Sequence, residues 1–345
     1  MKTILTIFGG RSSEYAVSLQ SAHAVLTQLP AVCRPLAVGI TREGAWYRFS
    51  GDPDALPGDG WQRPEWCTPC TLRLDFGRPA VLDLDGSGAV RPFDAAFPVL
   101  HGKNGEDGTV QGLLALTGVP LIGCGVLSSA VCMDKHRAHL LAAAAGIPSP
   151  RGMVFRREDD RRAAARAAAA LGYPLFVKPV RAGSSFGVSR VASPDGLDAA
   201  LDAAYRHDGE ALLEEAVPGF EVGCAVVGDR VLTVGAVDQV ALAGGFFDYR
   251  EKYTPETSQL LCPAPLGRCE TAAVQAAAQT VYRALDCRGF ARVDFFRTPE
   301  GRLLFNEVNT IPGLTAHSRF PAMMAAAGVD FPSLIRRLAA LGDVR

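Results

Sequence analysis

The chain opens with TILTIF, GGRSSEYA, VSLQSAHAVLTQL and PLAVGI: an apolar run, a polar loop with glycines, a helical stretch stopped near Pro30, and a second apolar run. Strand, loop, helix and strand in that order form a βα unit, and such units pair their strands in parallel. The pattern recurs. FDAAFPVL runs into HGKNGEDG and then TVQGLLALTG, and YPLFVKPV runs into RAGSSFG. Polar loops at the carboxyl ends of parallel strands are the usual ligand side of such a sheet.

At 345 residues the chain exceeds the roughly 250–300 that one core serves. The coarse expectation is three α/β domains: 1–123, 124–217 and 218–345. Residues 50–92, rich in Gly, Asp and Pro, read as a surface excursion. VPLIGC reads as one more strand, and SSAVCMDKHRAHLLAAAAG as one helix capped by Gly146. In the last unit several strands precede a long loop, 241–262. A helix, the paired strands FARVDFF and RLLFNEVN, and a closing helix follow.

Composition removes several function classes. A formal net charge of -1 with 21% charged residues gives no basic surface for a nucleic acid backbone. The first residues turn polar by residue 10, which fits a strand better than a signal peptide. The Ala-rich stretches are too short and interrupted for a bilayer. Nine cysteines, mostly inside apolar runs, suit a reducing compartment, so a cytoplasmic location is expected. Cys67 and Cys70 form a CxxC without a second ligand pair at finger spacing. Lys2, Lys103, Lys135, Lys178 and Lys252 are the only lysines, and four of them fall in motif-like stretches.

FARVDFFRTPEGRLLFNEVN reads as a hairpin with acids at one end. Asp294 lies on its first strand; Glu307 and Asn309, two apart on the second, share a face. Together they offer the hard oxygen ligands Mg2+ takes, with nucleotide phosphates completing the shell. Otherwise they form a solvated face. Lys178 ends a strand before a Gly/Ser loop whose N–H groups suit phosphate, and Lys135 and Lys252 are further phosphate-facing candidates. The loop is neither a Walker A nor a dinucleotide motif. Glu214, Glu215 and Glu221 are either solvated strand-end acids or neighbours of an adenine and its ribose. Glu14 and His101 sit in two loops of the first sheet where small polar substrates fit. Arg319, after the Pro-Gly turn of NTIPGLTAHSR, reads as surface charge or as a substrate selector.

In combination, these motifs resemble those of the D-alanine–D-alanine ligase family of ATP-grasp enzymes over nearly the full length. GGRSSEYAVSL is similar to the family's GG-x-S-x-E-x-x-VSL and HGKNGEDG to HG-x-x-GEDG; MDK is present at 133–135. KPVRAGSSFG, FFDYREKY and NTIPGLTAHS match its remaining signatures in order. The resemblance implies a three-domain α/β ATP-grasp fold with a Rossmann-like N-terminal domain. It implies ATP and two Mg2+ ions (or Mn2+) as cofactors, a homodimer, no nucleic acid or membrane partner, and a lid at 241–262. By the same resemblance Lys135 and Lys178 contact ATP phosphates and Lys252 the γ-phosphate. The strand at Glu214, Glu215 and Val217 receives the adenine, and Glu221 the ribose. Asp294, Glu307 and Asn309 hold the metals. Glu14 binds the ammonium of the first D-alanine, with His101 nearby and with Ser184 and Tyr253 linked to Glu14. Arg292 and N–H groups near Gly313 stabilise developing charge, and Ser318 meets the second substrate's carboxylate.

The implied chemistry is activation of a carboxylate by phosphorylation, followed by attack of a second amino acid's amine, with charge stabilised by metal and cationic side chains. A lid would exclude water from the reactive anhydride. Ala16 and Arg181-Ala182 depart from frequent family residues without removing a named ligand. Phe247 and Arg319, where ordinary D-alanine–D-alanine ligases usually have Tyr and Leu, resemble the D-alanine–D-serine ligases of vancomycin resistance. The expected second substrate is therefore D-serine, and the expected product D-alanyl-D-serine. The competing expectations are an ordinary D-alanine–D-alanine ligase, another ATP-grasp carboxylate–amine ligase, and a non-catalytic nucleotide sensor.

Overall fold

The computed structural model describes residues 1–183, 185–242 and 258–342. β1 (Thr3–Gly9), α1 (Tyr15–Gln28) and β2 (Arg34–Ile40) form the expected βα unit. β2 pairs with β1 in parallel, and β7 (Ala95–Leu100) does so on its other side. Strands covered on both faces read as continuous apolar runs, and β1 and β7 are buried along nearly their whole length.

Residues 50–92 are not a surface excursion. With β3 (Trp46–Phe49), they supply β4 (Cys67–Arg73), β5 (Ala80–Asp83) and β6 (Val90–Pro92), which extend the sheet antiparallel in the order β6-β5-β4-β3-β2-β1-β7. The reason is Trp61. Its ring is fully buried, edge-on to Phe8 at 5.1 Å and to Phe49 at 6.1 Å. Gly39 makes the room, since a Cβ there would stand 2.4 Å from the indole. Cys67 and Cys70, three apart on β4, face opposite sides and are free thiols. Burial pushes Cys70 up to about 12, which suits an inert core thiol.

After α2 (Thr109–Ala115), VPLIGC does not form a strand; it makes one bridge, Leu121 with Ala96. Pro120 has no N–H to give a ladder, and Gly123 turns the chain at φ 128°. The single helix expected next is two, α3 (Val126–Met133) and α4 (Lys135–Ala144). Asp134 between them is extended, and its carboxylate accepts from the Arg137 N–H at 2.9 Å as an N-cap. The break puts Lys135 at the first position of a new helix.

β8 (Gly152–Arg156), unanticipated from sequence, joins β9 (Leu175–Pro179), β10 (Ser189–Val191) and β11 (Glu210–Glu215) in an antiparallel sheet ordered β10-β9-β11-β8. α5 (Arg161–Leu171) and α6 (Leu197–Tyr205) cover it with small apolar residues such as Ala168, Leu201 and Ala204. β12 (Phe220–Gly228), β13 (Leu232–Leu242), β14 (Ser258–Leu261), β15 (Phe290–Arg297) and β16 (Leu303–Asn309) form a third, antiparallel sheet ordered β14-β13-β12-β15-β16. The ends of the expected 241–262 loop thus belong to strands. The rest of that stretch lies outside the described residues.

α7 (Arg268–Ala284) packs on the third sheet, and so do α3 and α4: Cys132, Ala138 and Ala142 share a core with Val222, Val293 and Phe305. The closing helix is again two, α8 (Arg319–Ala326) and α9 (Phe331–Leu341), parted at Gly328 with φ 86°. Their inner faces, through Phe320, Leu334 and Leu338, join Phe8 and Phe97 of the N-terminal sheet and Val25 of α1 in one core. That junction sets the loops after β1 and β7 against the segment after β16. No described helix is long and apolar enough to cross a membrane.

Candidate active site

β15 and β16 bring the hairpin acids together as the two-residue period requires. Asp294 is paired with Glu307 across the ladder, and Arg292 with Asn309. The Asn309 Nδ2 donates to Asp294 Oδ2 at 3.0 Å, so the three expected metal ligands share a face. Arg292 Nε and Nη2 donate to the same carboxylate at 2.8 and 2.6 Å. Burial opposes the charge of Arg292, but Asp294 outweighs it and holds the guanidinium above its ordinary range. Two carboxylates and an amide oxygen are hard donors that fit Mg2+ with phosphate oxygens completing its shell. Lys135 Nζ lies 4.0 Å from Glu307 Oε2 and donates to the Ala182 carbonyl at 2.5 Å.

Lys178, expected at phosphate, is buried and ion-paired with Glu214 across the β9–β11 ladder. Glu214 Oε2 is buried with no hydrogen-bond partner among the described residues. An acceptor left in that state fits a ligand N–H such as an adenine amine. Glu215, next along the strand and so on the other face, accepts from Arg151 Nε at 2.6 Å on an exposed edge. Val217 lies just beyond β11, in the link to β12.

The loops after β1 and β7 meet at Glu14. Gly102 holds φ 71° and a Cβ on it would stand 2.2 Å from Glu14 Oε2, so only glycine lets the HGKNGEDG loop close on this carboxylate. Ser12 Oγ donates to the His101 carbonyl at 2.7 Å. Glu106 went unremarked in the sequence although it stands within that motif. Its two oxygens accept from the Gly102 N–H at 2.8 Å and the Ile311 N–H at 3.0 Å, which ties the loop after β7 to the segment bearing Gly313.

Arg319 is not a surface residue. From the start of α8 it reaches under the third sheet. Nε and Nη2 donate to Asp238 at 2.7 and 2.8 Å, Nη1 donates to Glu221 at 2.6 Å, and Nη2 stands 3.3 Å from Asp294. Burial opposes its charge, yet Asp238, Asp294 and Glu221 hold the guanidinium well above its usual range. Glu221, expected at a ribose, therefore stands in an ion pair here, and burial pushes its carboxyl up. Asp238 is the residue sequence reading missed: in LTVGAVDQVAL it looks like an acid on a strand, and the packing of α8 against β13 brings Arg319 to it, while the Gly223 N–H donates to its Oδ1 at 3.0 Å. Ser318 caps α8, with its hydroxyl 2.8 Å from that of Thr315.

A cleft of about 790 Å³ joins these parts, lined by Glu14, His101, Arg292, Asn309, Gly313, Ser318 and Arg319. Ser184, Phe247, Lys252 and Tyr253 lie outside the described residues. The cleft thus brings together the Glu14 carboxylate, the Arg319 cage and the acid-bearing hairpin.

Comparison with known proteins gives the family. Residues 3–124 match the D-ala D-ala ligase N-terminus family and residues 141–340 the D-ala D-ala ligase C-terminus family. A Streptomyces coelicolor protein provisionally named a D-alanine–D-lactate ligase is 44% identical, covering 98% of each chain. A Mycobacterium avium D-alanine–D-alanine ligase is 42% identical over 96% of this chain and 94% of its own. The solved VanG D-Ala:D-Ser ligase from Enterococcus faecalis superposes with a TM-score of 0.91 at 46% identity, covering 99% of each chain. With its α/β ATP-grasp fold, the chain belongs to the D-alanine–D-alanine ligase family.

Proposed function

We propose that this ligase joins D-alanine to D-serine at the expense of ATP, giving D-alanyl-D-serine, ADP and phosphate for modified peptidoglycan precursors and vancomycin resistance. The observation that carries D-serine is the Arg319 cage. A guanidinium has five N–H donors. The hydrogen bonds to Asp238 and Glu221 commit three of them, and one Nη2 N–H faces Asp294. One Nη1 N–H is left, among the described residues, for a hydroxyl in the cleft. The carboxylates keep the guanidinium from swinging away.

In this reading Glu14 holds the first amino acid's ammonium and Ser318 the second's carboxylate. Arg292, fixed by Asp294, faces the carboxyl group that changes, and the N–H groups near Gly313 take up negative charge as the tetrahedral centre forms. ATP supplies the phosphoryl group that makes the D-alanine carboxylate a competent acyl donor, with Lys135 and Lys178 on its phosphates. Mg2+, when bound, would be held by Asp294, Glu307 and Asn309 and would supply charge neutralisation there.

The second reading is D-alanyl-D-alanine synthesis for ordinary peptidoglycan. It is favoured by the same cage, since an arginine so fully engaged by acids leaves little for a substrate. Competition decides: equal D-serine and D-alanine as second substrate, with ATP, D-alanine as first substrate and product masses read at neutral pH. An excess of D-alanyl-D-serine supports the first reading, and mainly D-alanyl-D-alanine overturns it.

A further inference from the structure

α1 turns two serines into the protein. A hydroxyl on the core face of a helix costs stability unless it is hydrogen-bonded, so each must be used. Ser18 accepts from the Gly9 N–H at 2.8 Å and donates to the Val99 carbonyl, stitching the ends of β1 and β7 together. Ser21, one turn later and fully buried, does something different. Its Oγ accepts from the Leu314 N–H at 3.2 Å and lies 3.0 Å from His101 Nε2. Three segments, α1, the loop after β7 and the loop after β16, therefore meet at one oxygen.

Proton direction follows from the available partners. The Leu314 amide can only donate, so Ser21 Oγ is an acceptor there. Its own proton needs an acceptor, since Ser21 is fully buried, and among the described residues His101 Nε2 is the one within reach. We propose that Ser21 is a positioning residue: it holds His101 as the neutral tautomer with the proton on Nδ1, and fixes that ring to the backbone beside Gly313.

The proposal rests on the ligase reading for its catalytic consequence. His101 and the Gly313–Leu314 backbone border the same cleft as Glu14 and Arg292. Ser21 therefore sets the distance between the first-substrate loop and the N–H groups that receive the developing oxyanion. With Nε2 accepting, the imidazole's other nitrogen, Nδ1, carries the proton, and neither nitrogen is left basic. The ring orients substrate and does not take the amine's proton.

Two measurements test this. Selective 15N-histidine labelling of the wild-type protein, with the His101 signals assigned by their loss in His101→Gln, should give a protonated Nδ1 and a pyridine-type Nε2. The reverse pattern overturns the proposal. Ser21→Ala should lower kcat roughly 10- to 50-fold, in line with an orphaned buried partner, with KM for ATP unchanged. Ser21→Thr, which keeps the hydroxyl, should restore most of it. Full turnover in Ser21→Ala, or a loss that Ser21→Thr does not rescue, overturns the role. If Ser21→Ala does not fold, the wild-type tautomer decides. If wild type forms no dipeptide from ATP with D-alanine and D-serine together, the ligase reading fails, while the tautomer measurement still judges the hydrogen-bond assignment.

Discussion

Arg319 and Asp238 form a two-point pair, Nε to Oδ2 at 2.7 Å and Nη2 to Oδ1 at 2.8 Å, with Asp238 fully buried. Asp238→Asn keeps the volume but turns one acceptor into a donor that faces the guanidinium. The D-serine to D-alanine product ratio should fall by about 10-fold, the scale of one charge-assisted hydrogen bond. A lowered Tm with an unchanged ratio would make Asp238 purely structural.

Arg319→Leu removes the donor and supplies an apolar wall suited to a methyl group. It should shift kcat/KM toward D-alanine by roughly 10- to 100-fold, well short of the ~10^4-fold reached where a donor is left wholly unpaired. Asp238 and Glu221 lose their cation, so the Tm should also drop, and Arg319→Lys should recover stability better than selectivity because lysine lacks the fork. An unaltered product ratio in Arg319→Leu refutes the selector role.

Glu307→Gln tests the hairpin. Glu307 is half-buried and opposite Asp294, and the amide is isosteric but uncharged. Turnover should fall by about 100-fold or more, while Tm moves little. Near-wild-type rates at saturating Mg2+ would remove Glu307 from the metal site.

Lys178→Met leaves Glu214 buried without its cation, a change that costs about 3–5 kcal/mol for such pairs. Adding Glu214→Gln neutralises the remaining charge and should return much of the Tm, but not the affinity for ATP. Recovery of both in the double variant would mean that Lys178 does not touch phosphate.

His139 links stability to pH. Its buried ring lies 2.8 Å from the Asn306 carbonyl, and burial holds its pKa below the ordinary 6.5, with Lys178 and Lys135 pushing the same way against Glu214. The unfolded chain therefore binds the proton first. Stability is full above about pH 6.5 and declines as pH falls below it toward the depressed folded value. His139→Gln should narrow the difference in Tm between pH 7.5 and 5.5. An equal difference in both proteins assigns the acid loss to other groups.

Much of the fold was legible because its units are local. β1, α1 and β2, and the β15–β16 hairpin, follow from periodicity and turn residues alone. Residues 50–92 misled because their order comes from one long-range anchor, Trp61, seated in a space opened by Gly39. Glycines and prolines in that segment carry the same local signal whether the strands between them pair or not. In the site, Asp294, Glu307 and Asn309 were readable from strand alternation. Asp238, Ser21 and Glu106 were not, since each acts through a partner 81, 80 or 205 residues away.

Trp61 also gives the protein an optical handle. Trp46, Trp61 and Trp66 are its only tryptophans, and all lie in the N-terminal sheet or the link between its strands. Trp61 Nε1 donates to the Tyr15 hydroxyl at 3.0 Å, and Tyr15 adjoins Glu14 in the chain. Intrinsic emission therefore watches one end of the cleft. If D-alanine binds at Glu14 and nucleotide at Lys135 and Lys178 as proposed, D-alanine should alter it, whereas nucleotide, beside sheets that carry no indole, should leave it unchanged, so the order of substrate binding can be followed without a label.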